Sequence, residues 1–172
     1  MEKIKAQLIG EIVSTNESEA FSLNKKSFFG EPVGEKIQYI LSEALFLLEK
    51  GKIEIYSRDK KIPKADLLKK FDKIDKKFSL KYPVFKDMRE KGYIIKTALK
   101  FGADFRVYEK GKGPGENHAK WIVFVEHESK NISWQEFSAK NRVAHSTKKN
   151  LLISIIDEEG DITYYEVRWV KI

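Results

Sequence analysis

Residues 151–170 read LLISIIDEEGDITYYEVRWV, and this stretch decides the fold class of the second half of the chain. Two apolar runs, Leu151–Ile156 and Ile162–Val170, flank the acidic turn Asp157–Asp161. Runs of this length that are rich in Ile, Val and Tyr, and that a short Gly-containing turn separates, are typical of a β-hairpin. The sequence therefore predicts an antiparallel hairpin over residues 151–170.

Upstream of this hairpin the sequence alternates between strand and helix patterns. Ser133 and Glu136 match a capping box, which opens a helix that reaches about Ala144. Three strands and one short helix are also predicted, at Tyr93–Ile95, Ala103–Tyr108, Trp121–Val125 and Val84–Glu90. Because short connections join these elements, the pattern favours a mixed sheet flanked by helices.

The first half of the chain predicts a smaller unit. Its first thirty residues resemble short strands and turns, and an apolar stripe then predicts a helix that ends at Gly51. The stripe consists of Ile37, Leu41, Ala44, Leu45 and Leu48. A short strand is predicted at Lys52–Tyr56. We therefore expect an α+β protein with a small α/β N-terminal domain (residues 1–79) and a mixed-sheet C-terminal domain (residues 80–172).

Residues 58–81 form a strongly basic stretch. Ten Lys and Arg residues face only four Asp residues there, while Leu67, Phe71, Ile74 and Phe78 recur at helical spacing. The pattern predicts one amphipathic helix with a basic, solvent-exposed face. A dedicated phosphate-binding surface is the alternative interpretation, and both can hold together.

Composition excludes several classes of protein. The chain has 172 residues, a net charge of +7 and no Cys, which excludes disulfide scaffolds, thiol nucleophiles and Cys-based zinc sites. No apolar run reaches the roughly 18 residues that a membrane span needs, and residues 1–13 lack the apolar core of a secretory signal. We expect a cytoplasmic protein with an acidic partner.

The candidate catalytic residues surround a loop rich in Gly and Pro. Residues 109–117 cannot form a regular element, and two strands flank them, so Tyr108 at the entry and His118 at the exit can share one rim. An imidazole exchanges protons near neutral pH. The three His residues lack the spacing of a zinc site, and His127 and His145 are interpreted as structural or solvated.

Residues 141–151, NRVAHSTKKNL, resemble the RVAHSxRKxLL segment of archaeal tRNA-splicing endonucleases. Other segments with compatible spacing resemble the same family: residues 41–47, 86–93, 100–108 and 155–165. The resemblance covers about residues 35–172 and is strongest in the second half. It implies that residues 80–172 form a catalytic nuclease domain.

The resemblance also implies an active site. It assigns Tyr108 as the general base, His118 as the general acid and Lys149 as the cation that stabilises the transition state, with Lys148 as the alternative if the alignment slips by one residue. A free Tyr has a pKa of about 10, so a nearby cation such as Lys149 would help it ionise. The implied reaction cleaves precursor tRNA at bulge–helix–bulge junctions, without metal or cofactor, and leaves 2′,3′-cyclic phosphate and 5′-hydroxyl ends.

RNA and subunit contacts follow from the same resemblance. Arg142 is similar to a residue that clamps a bulged base, and Arg168 and Trp169 are further candidates for that clamp. The acidic residues Asp157, Glu158, Glu159 and Asp161 resemble a turn that contacts a neighbouring subunit; an ordinary solvated turn is the alternative. The implied assembly is a homotetramer, or a heterotetramer with a structural paralogue, without a membrane partner.

Two other functions compete with this one. Asp104 and the sequence Glu128-Ser-Lys130 resemble the D…ExK arrangement that holds Mg²⁺ in some nucleases. A non-catalytic RNA-binding or structural subunit is the second alternative. It would bind RNA with a steep dependence on salt but leave it uncut.

Overall fold

The computed structural model describes residues 3–172, and its contacts divide the chain into two compact units, Met1–Ser79 and Leu80–Ile172. Helices and mixed sheets occur in both units, which confirms the predicted α+β class. None of the helices within residues 3–172 has the length and apolar character needed to cross a membrane.

The first unit contains a six-stranded mixed sheet. Its elements are β1 (Ile4–Ile9), β2 (Ile12–Thr15), α1 (Ser18–Ser27), β3 (Glu31–Val33), β4 (Lys36–Tyr39), α2 (Leu41–Glu49), β5 (Ile53–Ser57), β6 (Lys60–Lys61) and α3 (Lys64–Ile74). The strand order is β3-β4-β2-β1-β5-β6, and β1 and β5 run parallel. Buried Ile55, Leu67 and Phe71 place β5 and α3 in the core of this unit.

Two predictions for the first unit were wrong. Residues 18–27 form helix α1 rather than a turn. The sequence pattern did not predict this helix, because Ala20 is its only buried residue and its apolar residues show little helical periodicity. Ile37 lies in strand β4, so helix α2 begins only at Leu41. Glu43 fixes that start, since its carboxylate accepts a hydrogen bond from the backbone N–H of Ile40 at 3.2 Å.

The predicted single helix over residues 58–81 was also wrong. The stretch begins in the β5–β6 hairpin, α3 ends at Ile74, and the next helix begins at Phe78. Asp75 breaks the helix: its backbone is extended, and its Oδ1 accepts a hydrogen bond from the Lys77 backbone N–H at 2.9 Å. Asp side chains that bond their own backbone compete with helix continuation in this way. Apolar spacing continues across the break, so periodicity alone could not locate it.

The second unit is built on a five-stranded mixed sheet. Its elements are α4 (Phe78–Glu90), β7 (Ile94–Ala98), a 3-10 turn (Leu99–Phe101), β8 (Ala103–Tyr108), β9 (Trp121–His127), α5 (Trp134–Ser146), β10 (Asn150–Ile156) and β11 (Ile162–Val167). The first two residues of α4 precede Leu80, where this unit begins. The strand order is β11-β10-β9-β8-β7. Strands β9 and β10 are parallel, and the other neighbours are antiparallel.

The predicted hairpin is present, with Leu151 opposite Val167 and Ile156 opposite Ile162. Strand β11 ends at Val167, three residues earlier than predicted. Ser133 caps α5 by accepting a hydrogen bond from the Glu136 backbone N–H at 3.1 Å. The predicted start of α4 at Val84 was wrong, because the helix accommodates Pro83 in its interior.

Helices α4 and α5 cover opposite faces of this sheet. On one face Phe85 of α4 contacts Phe105 of β8, with ring centroids 6.0 Å apart. Ala144 of α5 packs with Ile122 and Leu151 on the other face. Successive strand residues point to opposite faces, so Arg106 faces away from α4, unlike its neighbour Phe105. Arg106 lies directly opposite Ile122 in the β8–β9 register, and the two side chains share a face. Arg106 and Tyr108 therefore lie on the α5 face.

Candidate active site

The candidate catalytic residues lie near one edge of the second sheet. This edge is formed by the ends of three neighbouring inner strands, β8, β9 and β10, and not by an outer strand. Tyr108 is the last residue of β8, and Lys149 directly precedes β10. Lys120, between them, joins the two strands: its N–H donates to the Val107 carbonyl, and its carbonyl accepts from the Asn150 N–H, both at 2.9 Å. Because adjacent strands lie about 4.8 Å apart, the Tyr108 and Lys149 backbones are about 10 Å apart.

His118 enters this edge from the loop between β8 and β9. It is exposed and lies three residues before Trp121, the first residue of β9, while the adjacent Ala119 is buried and anchors the chain. Tyr108 is buried. The sheet topology thus brings the three predicted residues to one edge, and their separation in sequence is spanned by strand pairing rather than by a local motif.

Glu109 connects the two ends of the loop that carries His118. Its carboxylate accepts hydrogen bonds from Lys112 Nζ at 2.6 Å and from Lys120 Nζ at 2.8 Å. These two ammonium groups, Lys112 first, lower the pKa of Glu109 from 4.5 to about 2. Since the folded pKa is depressed, the clamp is fully present above pH 4.5 and is lost as the pH falls toward 2. No local pattern in the sequence indicates this role, because the partner Lys120 lies eleven positions away.

We expect Glu109→Gln to loosen residues 110–119 because an amide cannot pair with two cations. Amide hydrogen exchange, measured at neutral pH and resolved by peptide, should accelerate in this loop but not in β9. Glu116→Gln is the matched control, since Glu116 is exposed in the same loop and lies outside the clamp. Equal exchange in the two variants would show that the clamp does not order the loop.

A helix-ending motif positions Lys149. The Lys149 N–H donates to the Ala144 carbonyl at 2.9 Å, and the Lys148 N–H donates to the His145 carbonyl at 3.0 Å. This is the Schellman pattern, and it places Lys148 in the left-handed conformation at φ 56°. The two lysines therefore differ: Lys148 is the strained turn residue, and Lys149 leads directly into β10.

The Lys149 ammonium lies in a cationic environment. It donates to the Thr147 carbonyl at 2.9 Å and lies 5.4 Å from the centre of the Phe101 ring. Burial, followed by the positive charges of Arg106 and Lys100, lowers its pKa from 10.5. Arg106 shares the sheet face of Tyr108 through strand alternation, so a signal for this residue existed in the sequence two positions before Tyr108.

Arg142 and Trp169 line one cavity of about 300 Å³, together with Phe137, Ser138 and Asn141. The Trp169 ring also packs edge-on against His145, with centroids 4.2 Å apart. Arg168 is engaged differently: its Nε donates to Glu166 Oε1 at 2.6 Å. The structure thus brings two of the three predicted RNA-contacting residues together, and Arg168 pairs with a carboxylate instead.

The acidic turn has a defined conformation. Asp157 Oδ1 accepts from the Asp161 N–H at 2.8 Å, and Gly160 has φ 87°, a conformation that favours glycine. Glu158 and Glu159 are exposed. The turn therefore presents carboxylates to the surrounding solvent from a fixed backbone.

The two carboxylates of the metal-nuclease alternative, Asp104 and Glu128, accept hydrogen bonds from backbone N–H groups. Asp104 Oδ2 accepts from the Val125 N–H at 2.8 Å, and Glu128 Oε1 accepts from the Glu158 N–H at 2.9 Å. In the part of the chain that the structure describes, no three His, Asp or Glu side chains are grouped so as to hold a metal ion. His127 Nδ1 lies 2.8 Å from the hydroxyl oxygen of Ser129, a local contact at the exposed end of β9.

Comparison with known proteins identifies the family. A family profile described as tRNA intron endonuclease, catalytic C-terminal domain, matches residues 78–164, and one described as tRNA intron endonuclease, N-terminal domain, matches residues 4–68. The chain belongs to the tRNA intron endonuclease family. The predicted family is thereby confirmed, and the chain is an endoribonuclease of tRNA splicing.

Individual relatives agree along nearly the whole chain. The tRNA-splicing endonuclease of Pyrococcus horikoshii is 40% identical over 160 residues, which cover 93% of this chain and 92% of that protein. The tRNA-splicing endonuclease of Thermococcus onnurineus is 37% identical over 171 residues, with 99% and 98% covered. That of Methanothermobacter thermautotrophicus is 36% identical over 170 residues, with 98% and 99% covered.

Proposed function

We propose that this tRNA intron endonuclease excises introns from precursor tRNA by transesterification that needs no metal ion. The RNA supplies its own nucleophile, a 2′-hydroxyl at the junction. The products are a 2′,3′-cyclic phosphate and a 5′-hydroxyl. The observation that carries the proposal is the pairing of β8, β9 and β10, which gathers a phenol, an imidazole and an ammonium from distant parts of the sequence at one sheet edge.

Each of these groups has one task in the proposed reaction. Tyr108 removes the proton of the 2′-hydroxyl, whose oxygen then attacks the adjacent phosphorus. The 5′ oxygen leaves as its bond to phosphorus breaks, and His118 supplies the proton that it needs. Lys149 stabilises the negative charge that gathers on the phosphoryl oxygens. General acid–base groups contribute typically about 10²–10⁴-fold each, and a placed electrostatic donor about 10²–10³-fold.

Cleavage of an intron-bearing tRNA precursor in EDTA tests the proposal. We expect the purified chain to cut at both intron junctions with and without chelator, because no step uses a metal ion. Treatment of the 5′ fragment with phosphatase should leave its end blocked until acid opens the cyclic phosphate. Loss of activity in EDTA that Mg²⁺ restores would favour the Asp104 alternative, and RNA binding without cleavage would favour a non-catalytic subunit.

We further propose that the enzyme recognises bulge–helix–bulge junctions as an oligomer, a homotetramer or a heterotetramer with a structural paralogue. Two junctions require two active sites at a set separation, and the exposed carboxylates of the 157–161 turn offer a contact for a basic surface of another subunit. Arg142 and Trp169, which line one cavity, support a clamp for a bulged base.

Native mass measurement tests the assembly. Neutralising the turn in the variant Glu158→Gln/Glu159→Gln/Asp161→Asn should lower the mass of the particle, because the subunit contact loses its charge. Asp157 is retained since its Oδ1 holds the turn through the Asp161 backbone N–H. An unchanged mass would assign the turn to solvent.

A further inference from the structure

A concave basic surface in the first unit has no role in the proposed chemistry. The surface is a cavity of about 760 Å³ between the β5–β6 hairpin and helix α3. Its six basic lining residues are Arg58, Lys60, Lys61, Lys69, Lys70 and Lys73, and its acidic lining residues are Asp59 and Asp66. We call this the hairpin–helix surface.

Most of its positive charge is unneutralised. Lys61 pairs with Glu54 at 2.6 Å, and Lys64, just outside, pairs with Glu49 at 2.6 Å. Arg58, Lys60 and the three lysines of α3 form no ion pair with any carboxylate within residues 3–172. All five are exposed. Unpaired like charges gathered in a concavity repel each other, so this surface gains from an anionic partner.

The surface rests on a rigid support. Ile62 is buried, and its N–H donates to the Ile55 carbonyl at 2.8 Å, which fixes the hairpin against the sheet. Leu67 and Phe71 are fully buried and fix the inner side of α3. Lys69 and Lys73, four residues apart, are neighbours on the helix surface. The cations therefore extend from anchored elements, and their side chains are exposed.

The lining also indicates which part of a nucleic acid fits. Lysine is a flexible point charge that suits phosphate oxygens, whereas reading single-stranded bases requires aromatic side chains for stacking. The lining residues include no aromatic side chain. The surface thus matches a phosphodiester backbone, bound without regard to sequence.

We propose that the hairpin–helix surface binds the phosphate backbone of the precursor tRNA outside the cleaved junction. This inference rests on the proposed function for its partner, an RNA, but it concerns residues 57–73 and not the residues that carry the chemistry. Binding releases counterions from each neutralised phosphate, so the contribution of this surface decreases steeply as salt increases.

The test compares two triple variants that remove the same charge. Lys69→Gln/Lys70→Gln/Lys73→Gln alters the surface, and Lys25→Gln/Lys26→Gln/Lys36→Gln is the control, since these three lysines are exposed elsewhere in the first unit. Affinity is measured from about 50 to 200 mM KCl, a range over which phosphate-dependent binding weakens strongly. The RNA is a precursor tRNA with 2′-deoxy nucleotides at both junctions, which cannot be cut in the proposed reaction.

We expect the surface variant to bind the precursor at least about tenfold more weakly and to reduce the slope of log K against log[salt] by about 2–3. Its single-turnover cleavage of a short bulge–helix–bulge stem should match that of the control variant. Equal affinity and slope in the two variants would overturn the inference. So would a smaller particle by native mass with an unchanged salt slope, which would assign the surface to the acidic turn of a second copy. If the wild type does not cleave the bulge–helix–bulge stem, the proposed function fails, yet the salt slopes measured with the uncleavable precursor still decide this inference.

Discussion

Replacing His118 with alanine should lower the rate of precursor tRNA cleavage by a factor of about 10²–10⁴, the usual contribution of a general acid. The loss follows because an alkoxide at the 5′ position leaves poorly unless it is protonated as the bond to phosphorus breaks. His118 is exposed at the exit of the loop and is not part of the core, so the fold should remain intact. Single-turnover cleavage and a urea unfolding curve measure the two properties.

A sulfur substitution separates acid catalysis from binding. If a sulfur atom replaces the 5′ bridging oxygen, the leaving group needs no proton, because a thiol has a pKa of about 8.5. The His118→Ala variant should then cut at nearly the wild-type rate. His127→Ala is the matched control, since that imidazole bonds Ser129. Unchanged cleavage by His118→Ala on the oxygen substrate, or an equal loss on the sulfur substrate, would contradict the assignment of His118 as the acid.

The fold was predictable where short-range patterns decide it. The hairpin at residues 151–170 and the Ser133 cap follow from local turn and capping chemistry, and both are present. Helix α1 was missed because its apolar residues do not form a stripe. The break at Asp75 was missed because a side chain bonding its own backbone overrides an apolar period that continues beyond it.

The site was predictable only in part, for a different reason. Family resemblance assigned Tyr108, His118 and Lys149, and their presence at one sheet edge depends on the parallel pairing of β9 with β10, which no local pattern specifies. Long-range contacts explain the residues that were missed. Glu109 acts through Lys120, and Arg106 and Lys100 act through their charge on Lys149. None of these interactions joins neighbouring positions in the sequence.

Replacing Lys149 with methionine should lower the cleavage rate by about 10²–10³-fold, because the transition state then loses a placed positive charge. Methionine is one side-chain atom shorter than lysine and replaces the ammonium with an apolar group that can still pack against the Phe101 ring. Sulfur in the leaving group should not restore this rate, which distinguishes charge stabilisation from proton donation.

The wild-type rate should also decline at alkaline pH as Lys149 loses its proton, and this decline should begin below pH 10.5 because the pKa of Lys149 is lowered. Lys100→Gln should move the decline to higher pH, since it removes one of the two neighbouring charges.

Lys148 supplies the matched control for this assignment. The Lys148→Gly variant also removes one positive charge, but it places glycine at a left-handed position (φ 56°) that costs lysine about 1 kcal/mol. We therefore expect it to retain the wild-type rate and to unfold at a higher urea concentration. If Lys148→Gly lost the rate and Lys149→Met kept it, the alignment would be wrong by one residue. Loss of rate in both variants without loss of stability would instead show that the transition state responds to the summed charge of this edge. If the Lys149 ammonium alone were required, Lys148→Gly would keep the wild-type rate.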